Sequence, residues 1–200
     1  GYNNAMLFNS GFSANSSVIK ALFQDKAIAQ QSAIFQDKLN HASLIDGALH
    51  ANAALVRFNH NDMNHLRSRL EKSNAKYKLI VSEGVFSMDV DQAPLTELLS
   101  LAKAHNAWLM IDDAHGFGVL GKSGLGSCEP LIAADNLPDI LVITFGKALA
   151  SSGACVLGSS EFIDYMLQFN RDYTYSTAMS PFIASHTLSR IKTIRDANRK

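Results

Sequence analysis

Several protein classes are excluded by what the sequence has little of. Only two cysteines are present, Cys128 and Cys155, and they are not in a C-x-x-C spacing, so neither a disulfide framework nor a zinc site is indicated. No stretch approaches the roughly 18 apolar residues of a membrane-spanning helix, and the first residues lack a basic-then-apolar signal pattern. We therefore expect reduced thiols in a cytoplasmic protein that does not enter a membrane.

An excess of charge of one sign is also missing. The chain of 200 residues has 18 basic and 18 acidic side chains without long runs, which gives no footprint for nucleic acid or an anionic membrane. There is no internal repeat, low-complexity segment or linker rich in proline or serine. With 47% hydrophobic residues the sequence can form a sizeable core in one continuous domain, and a role with small molecules is favoured.

Short apolar runs alternate along the chain with helical patterns, as in α/β proteins. We predict strands near residues 5–9, 32–36, 54–58, 78–82, 107–112, 139–144 and 154–158. Helices are predicted near residues 15–24, 42–52, 61–73, 94–105, 160–171 and 181–197. This order predicts a three-layer α/β fold in which a mostly parallel seven-stranded sheet has helices on both faces.

Two polar residues at strand ends point to one crevice. Lys147 follows the apolar strand of residues 139–144, and Asp112 ends the strand that begins near Trp108. In open α/β sheets the ligand crevice lies outside the carboxyl ends of the strands, so the two side chains can converge. A lysine and a carboxylate are the pair that pyridoxal phosphate chemistry requires, one to bond the aldehyde and one to hold the pyridine nitrogen.

Two other ligand chemistries compete at the same place. Residues 116–121 fit G-x-G-x-x-G, but a glycine-rich loop follows them where a dinucleotide site needs a helix. Asp112, Asp113 and His115 are suitable metal ligands, although no further cluster has convincing spacing. Both alternatives rank below pyridoxal phosphate, and we expect no metal.

The turns after other strands offer weaker candidates. Residues 9–15 lie between a strand and a helix, where backbone amides could bind a phosphate. His41, at a helix entrance, could lie over a planar ligand or simply cap the helix. A lone serine or glutamate in residues 82–89 is more often a turn residue. His60 and His65 are five apart and do not share a helical face, so we expect both to be solvated.

The motifs taken together resemble the α-oxoamine synthases, a pyridoxal phosphate family with the aspartate aminotransferase fold. The resemblance covers the whole chain and implies the large domain of the type I fold over residues 1–200, as a piece without the N-terminal segment and the C-terminal small domain. Five motifs match in order: Ser10-Gly11-Phe12 with Asn15, Asn40-His41-Ala42-Ser43, Glu83-Gly84-Val85-Phe86-Ser87-Met88-Asp89, Asp112-Asp113-Ala114-His115-Gly116 and Thr144-Phe145-Gly146-Lys147.

The resemblance also implies a role for the matched residues. Lys147 would bond the cofactor and move protons at the substrate α-carbon, while Asp112 holds the pyridine nitrogen. Ring contacts would come from His115 and Ser87 at the hydroxyl and from His41 on the ring face. The site would be shared in a homodimer, because the implied phosphate ligands are Gly11, Phe12, Thr144 and, from a partner subunit, Ser176 or Thr177. Glu83 would lie near the ring or the substrate, and no chemical step is assigned to it.

The reaction implied is the decarboxylative condensation of an amino acid with an acyl thioester. Residues 93–95, 144–147 and 175–179 are most similar to the branch of the family that uses L-alanine and a pimeloyl thioester in biotin biosynthesis. The branch that acetylates glycine is one alternative, and a noncatalytic α/β binding module is another. A dehydrogenase ranks third.

Two features depart from the family. Val90 stands where glycine is common, so we expect a different backbone conformation at that turn. Residues 25–35 look longer than in familiar members, and we expect a surface loop extension there.

Overall fold

The computed structural model describes residues 1–132 and 134–197, in which a seven-stranded sheet is flanked by helices. The strands are β1 (Asn4–Phe8), β2 (Ser32–Asp37), β3 (Ala54–Phe58), β4 (Tyr77–Glu83), β5 (Ala107–Asp112), β6 (Ile140–Thr144) and β7 (Ala154–Gly158). The helices are α1 (Gly11–Leu22), α2 (Lys26–Ala29), α3 (Ala42–His50), α4 (Met63–Glu71), α5 (Leu95–Ala104), α6 (Glu129–Ile132), α7 (Ser160–Phe169), α8 (Arg171–Thr174) and α9 (Pro181–Ala197). All seven predicted strands are confirmed.

The sheet is mixed and mostly parallel, with the strand order β1-β7-β6-β5-β4-β2-β3. β7 runs antiparallel to both of its neighbours, β1 and β6, and the other pairs are parallel. Because β7 reverses between them, β1 points in the same direction as the parallel strands. Six strands therefore have their carboxyl ends at one edge of the sheet.

Helices cover both faces of the sheet. Leu79 and Val81 of β4 belong to the apolar layer formed with α1, α3 and α7, whereas Ile80 belongs to the layer formed with α4 and α5. Neighbouring residues of a strand point to opposite faces, so one apolar run supplies both layers. The predicted three-layer α/β architecture is confirmed. None of the helices in the described ranges has the length and apolarity that crossing a bilayer requires.

Two local expectations were wrong. Residues 25–35 are not a surface loop extension, because Asp25 caps α2 by accepting from the amides of Ala27 and Ile28, and every residue of β2 is buried. Val90 has a φ of 60°, in the left-handed region that glycine favours. The turn therefore has the backbone that a glycine would adopt freely, and the β-branched side chain is strained in it.

Candidate active site

A cavity of about 370 Å³ opens at the carboxyl edge of the sheet. Its walls are formed by the ends of β1, β4, β5 and β6 and by the first turns of α1 and α3. A volume of this size is typical of sites for small ligands and cofactors. The residues predicted from the sequence to lie at the site that do line the cavity are Lys147, Asp112, His115, His41, Gly11, Phe12, Thr144 and Glu83.

Asp112 is buried at the end of β5, where two donors fix its carboxylate. One oxygen, Oδ2, accepts from Asn15 Nδ2 at 2.6 Å, and Oδ1 accepts from the Ala114 amide at 3.0 Å. Asn15, on α1, also donates to the Ser43 hydroxyl at 3.0 Å, so the same amide joins α1, α3 and the carboxylate. A carboxylate has about four acceptor sites, and Asp112 can therefore still accept from a ligand in the cavity.

Lys147 lies in the loop of residues 145–153, which connects β6 directly to β7. The Phe145 amide donates to the Gly153 carbonyl at 2.9 Å, and the Ser151 amide donates to the Phe145 carbonyl at 2.8 Å. Partial burial lowers the pKa of Lys147, and the negative charges of Asp112 and Glu83 only partly oppose this shift. A lowered pKa leaves more of the amine unprotonated and hence nucleophilic near neutral pH.

Glu83 ends β4 beside Asp112 and is buried, with 2% of its surface exposed. Its Oε1 accepts from the His41 amide at 2.5 Å. Burial and the negative charge of Asp112 raise the pKa of Glu83 to about 7, against the opposing effects of the His41 hydrogen bond and Lys147. The sequence motif contains Glu83, but its pKa depends on burial and on neighbours that are distant in sequence.

Two histidines complete the walls of the cavity. His41 is the N-cap of α3, and its Nδ1 accepts from the Ser43 amide at 3.2 Å. The capping interpretation of His41 is therefore confirmed, and the residue also lines the cavity, so its position over a planar ligand stays a prediction. Burial and the charge of Lys147 lower the pKa of His115, with Asp112 opposing them, so the neutral imidazole is favoured at neutral pH.

The first turn of α1 forms a pocket suited to an anion. Ser10 caps the helix by accepting from the Ser13 amide at 3.1 Å, and the amides of Gly11 and Phe12 have no acceptor within the helix. Thr144 Oγ1 is buried, with no hydrogen-bond partner in the described part of the chain. A Cβ at Gly11 would lie 2.5 Å from Thr144 Cγ2, so glycine is needed for this approach. A phosphate here would satisfy all three donors.

The structure does not bring every predicted site residue into the cavity. Ser87 is exposed on the loop after β4 and lies outside it. Thr177 is also exposed and lines an adjacent cavity of about 500 Å³, with its carbonyl accepting from Asn9 Nδ2 at 2.7 Å. Conversely, Ser151 and Ser152 line the main cavity, and no sequence signal distinguished them.

The competing ligand chemistries find little support. Residues 116–121 form turns and no helix, so they lack the helix end that a dinucleotide needs. In the described ranges no group of three acidic, histidine or cysteine side chains could hold a metal ion.

The expectation that His60 is solvated was wrong, since its ring nitrogens lie 3.0 Å and 2.8 Å from the carboxylates of Asp37 and Asp91.

Comparison with known proteins identifies the family. The family model for aminotransferase class I and II matches residues 2–199. The chain belongs to the class I and II aminotransferase family. It is 50% identical over 196 residues to the 8-amino-7-oxononanoate synthase of Vibrio atlanticus, covering 96% of this chain and 46% of that protein. Its identity to the 8-amino-7-oxononanoate synthase of Cellvibrio japonicus is 46% over 195 residues, covering 98% and 48%.

Solved structures of the family have the same fold. A serine palmitoyltransferase solved with pyridoxal phosphate gives a TM-score of 0.89 at 31% identity, covering 98% of this chain and 48% of that one. The 8-amino-7-oxononanoate synthase of Francisella tularensis gives 0.82 at 34% identity, covering 99% and 56%. The resemblance and fold predicted from the sequence are confirmed at this level. The chain spans about half the length of the curated relatives it matches.

Proposed function

We propose that the protein is a pyridoxal phosphate-dependent α-oxoamine synthase that condenses L-alanine with a pimeloyl thioester to give 8-amino-7-oxononanoate in biotin biosynthesis. The observation that carries this proposal is that Lys147, Asp112 and the anion pocket at Gly11 and Thr144 face one cavity. Identities of 45–50% to 8-amino-7-oxononanoate synthases support the choice of substrates.

The residues present fit the cofactor at three points. The carboxylate of Asp112 suits a protonated ring nitrogen, the amine of Lys147 suits the aldehyde, and the buried Thr144 hydroxyl with the α1 amides suits the phosphate. Thr144 Oγ1 would otherwise remain without a partner, which is costly for a buried hydroxyl. When bound, the cofactor supplies an electron sink for negative charge at the substrate α-carbon.

Each residue then has a defined task. Lys147, whose pKa is lowered by burial, takes the α-proton of the amino acid and returns a proton to the product carbon. The carboxylate of Asp112 would keep the ring nitrogen protonated, and Asn15 fixes the direction of that carboxylate. The neutral imidazole of His115 and the ring of His41 line the cavity and would contact the cofactor ring. The amides in the first turn of α1 would hold the cofactor phosphate.

We also propose a cytoplasmic homodimer with a shared active site. Ser176 and Thr177 are exposed and lie outside this chain's own cavity, which leaves them free to reach the site of a second subunit. Cys128 and Cys155 are both buried free thiols, as suits a reducing compartment.

The absorption spectrum of the purified protein with added pyridoxal phosphate tests the proposal. We expect a band near about 420 nm that Lys147→Ala removes and that L-alanine shifts. Lys122→Ala, which changes an exposed lysine of a glycine-rich loop, is the matched control and should keep the band. Absence of a lysine-dependent band in folded protein would favour a noncatalytic binding module instead.

The substrates are then tested by pairing L-alanine or glycine with a pimeloyl or an acetyl thioester and identifying the product by mass. We expect 8-amino-7-oxononanoate from L-alanine and the pimeloyl thioester to form fastest. Faster turnover of glycine with the acetyl thioester would assign the protein to the glycine-acetylating branch.

A further inference from the structure

A second cluster of charged side chains lies outside the cavity, where three loops meet. His60 follows β3, and its Nδ1 lies 3.0 Å from Asp37 Oδ1 while its Nε2 lies 2.8 Å from Asp91 Oδ2. Its ring packs edge-on against Phe86, with ring centroids 4.4 Å apart. Asp37 is fully buried at the end of β2, and Asp91 lies in the loop between β4 and α5.

Asn61 joins the same two carboxylates a second time. Its backbone amide donates to Asp37 Oδ2 at 2.8 Å, and its side-chain Nδ2 donates to Asp91 Oδ2 at 2.7 Å. Its φ of 52° lies in the left-handed region, which asparagine tolerates better than most residues. We name His60, Asn61, Asp37 and Asp91 the His60 clasp.

The geometry of the clasp sets the charge of His60. An ionised carboxylate only accepts hydrogen bonds, so an imidazole with a carboxylate at each nitrogen makes both bonds only when both nitrogens carry protons. Burial lowers the pKa of His60, but the hydrogen bonds to Asp37 and Asp91 outweigh burial, and the net shift is upward. These two carboxylates are the charged groups that contact His60 in the described ranges. Lys38 and His65 instead bind Asn59.

Each carboxylate is close in the chain to a proposed cofactor contact, since Asp37 ends β2 just before the loop that leads to His41, and Asp91 lies in the loop that contains Ser87. Asp37 accepts from the Leu39 amide at 2.8 Å, and Leu39 directly precedes Asn40 and His41. The carbonyl of Asp91 accepts from the Phe86 amide at 3.0 Å and closes the loop that contains Ser87. The two carboxylates are bridged by the ring of His60, and a second time by the neutral groups of Asn61.

We propose that His60 is a positioning residue whose imidazolium joins the loop carrying His41 to the loop carrying Ser87, and so sets how both residues meet the cofactor ring. The inference rests on the proposed function. Because only the charged form makes both bonds, the two His60 bonds of the clasp are complete below the ordinary histidine pKa, and one of them is lost as pH rises through the raised pKa of folded His60. Above that pH the neutral ring keeps only one of its two bonds, and Asn61 alone still joins the two carboxylates, so the two loops move more freely.

Hydrogen exchange in cofactor-free protein tests the clasp directly. His60→Gln should increase exchange about tenfold in residues 38–41 and 84–92, because it replaces two charge-assisted bonds. His65→Gln is the matched control, since His65 lies in the same segment, and its ring lies beside the Asn59 amide and Arg69 and makes no hydrogen bond to a carboxylate in the described ranges. In the wild type, exchange corrected for its intrinsic pH dependence should rise in a step that His60→Gln lacks.

A second variant guards against misfolding. The Asp91 side chain is 42% exposed, so Asp91→Asn should fold, and it should loosen residues 84–92 more than residues 38–41. Equal exchange in His60→Gln and His65→Gln, or a step that persists in His60→Gln, would overturn the clasp.

Cofactor affinity tests the positioning role separately. The dissociation constant for pyridoxal phosphate should rise about tenfold in His60→Gln and stay unchanged in His65→Gln. An unchanged constant together with faster exchange would overturn positioning. A wild-type protein that binds no pyridoxal phosphate would overturn the proposed function, and with it positioning, while the exchange result still decides the clasp.

Discussion

Asp112 and Asp113 are adjacent in the chain and both are buried, but their carboxylates have opposite surroundings. Asp112 faces the cavity and keeps acceptor capacity for a ligand. Asp113 accepts from the Ser127 hydroxyl at 2.6 Å and the Ser127 amide at 2.9 Å. Three glycines close the rest of its surroundings, since an added Cβ would lie 2.0–2.3 Å from its carboxylate at Gly84, Gly116 and Gly126.

The comparison shows how one acidic dipeptide supports both chemistry and stability. Successive side chains along an extended chain point in opposite directions, so Asp112 points toward helix α1 and Asp113 does not. Burial also raises the pKa of Asp113 to about 6, although the hydrogen bonds from Ser127 oppose this shift. An Asp-Asp pair in a sequence therefore does not reveal which member faces a ligand.

The largest expected effect separates the two acids by activity. Asp112→Asn should lower kcat by about 10²–10³-fold, because the ring nitrogen loses the charge that keeps it protonated. The melting temperature should fall only slightly, since the amide oxygen can still accept from Asn15 and only the Ala114 amide loses its acceptor. Steady-state kinetics and thermal unfolding measured on one preparation check both parts. A large loss of stability with unchanged kcat would reverse the roles assigned to the two acids.

Asp113→Ala should show the opposite pattern. It leaves the hydroxyl and amide of Ser127 without their acceptor, which costs about 1–3 kcal/mol of the free energy of unfolding. The kcat of the molecules that remain folded should stay close to that of the wild type. Denaturant unfolding followed by circular dichroism gives the free energy, and an unchanged midpoint would contradict the closed surroundings described for Asp113.

Substitutions at two glycines test the same contrast between the closed surroundings of Asp113 and the open cavity. At Gly116 an added Cβ would lie 2.2 Å from Asp113 Oδ1, whereas at Gly146 the nearest atom is the Ser151 carbonyl oxygen at 3.7 Å. Gly116→Ala should therefore cost about 1–3 kcal/mol through overpacking. Gly146→Ala, the matched control, should stay within about 0.5 kcal/mol of the wild type. Equal costs would mean that the Asp113 side is no more tightly closed than the cavity.

The smallest effect concerns pH. Glu83 has a pKa of about 7 in the folded protein, above its ordinary value of 4.5, so the folded state binds more protons than the unfolded state between these values. Stability of the cofactor-free protein should therefore fall as pH rises from about 5 to 8. Each kcal/mol of unfolding free energy that is lost should lower the melting temperature by about 2–4 °C. Glu83→Gln should reduce this fall.

The control for that measurement is Glu97→Gln, which changes an exposed glutamate of α5. It should leave the slope of stability against pH as in the wild type. Asp113, whose pKa is raised to about 6, contributes a fall of the same sign, so some slope should persist in Glu83→Gln. A wild-type stability that rises with pH over this range would contradict the upward pKa shifts of both Glu83 and Asp113.

The strands and the layer architecture could be predicted because each strand is an apolar run between turn residues. The short helices α2, α6 and α8 could not, since four residues are too few to show a helical period. The expected loop extension at residues 25–35 overlaps the buried strand β2, because a difference in segment length gives no information on burial.

The site divides along similar lines. Lys147 and Asp112 could be predicted to converge because both follow strands that end at one edge of a parallel sheet. The bond between Asn15 and Asp112 spans 97 residues, and the pairing of His60 with Asp37 and Asp91 also joins separate loops. Such contacts leave no local pattern. Ser87 belongs to a matched motif but is exposed outside the cavity, so its contact with the ring remains a prediction.

The reversed direction of β7 has a consequence for how chain length can vary. Strands β5 and β6 run parallel, so residues 113–139 must travel from one edge of the sheet to the other and can absorb insertions on the way. Lys147 instead lies in a direct connection between hydrogen-bonded neighbours, where an added residue would displace the amine from Asp112. Insertion scanning should therefore find residues 145–153 the least tolerant connection of the sheet.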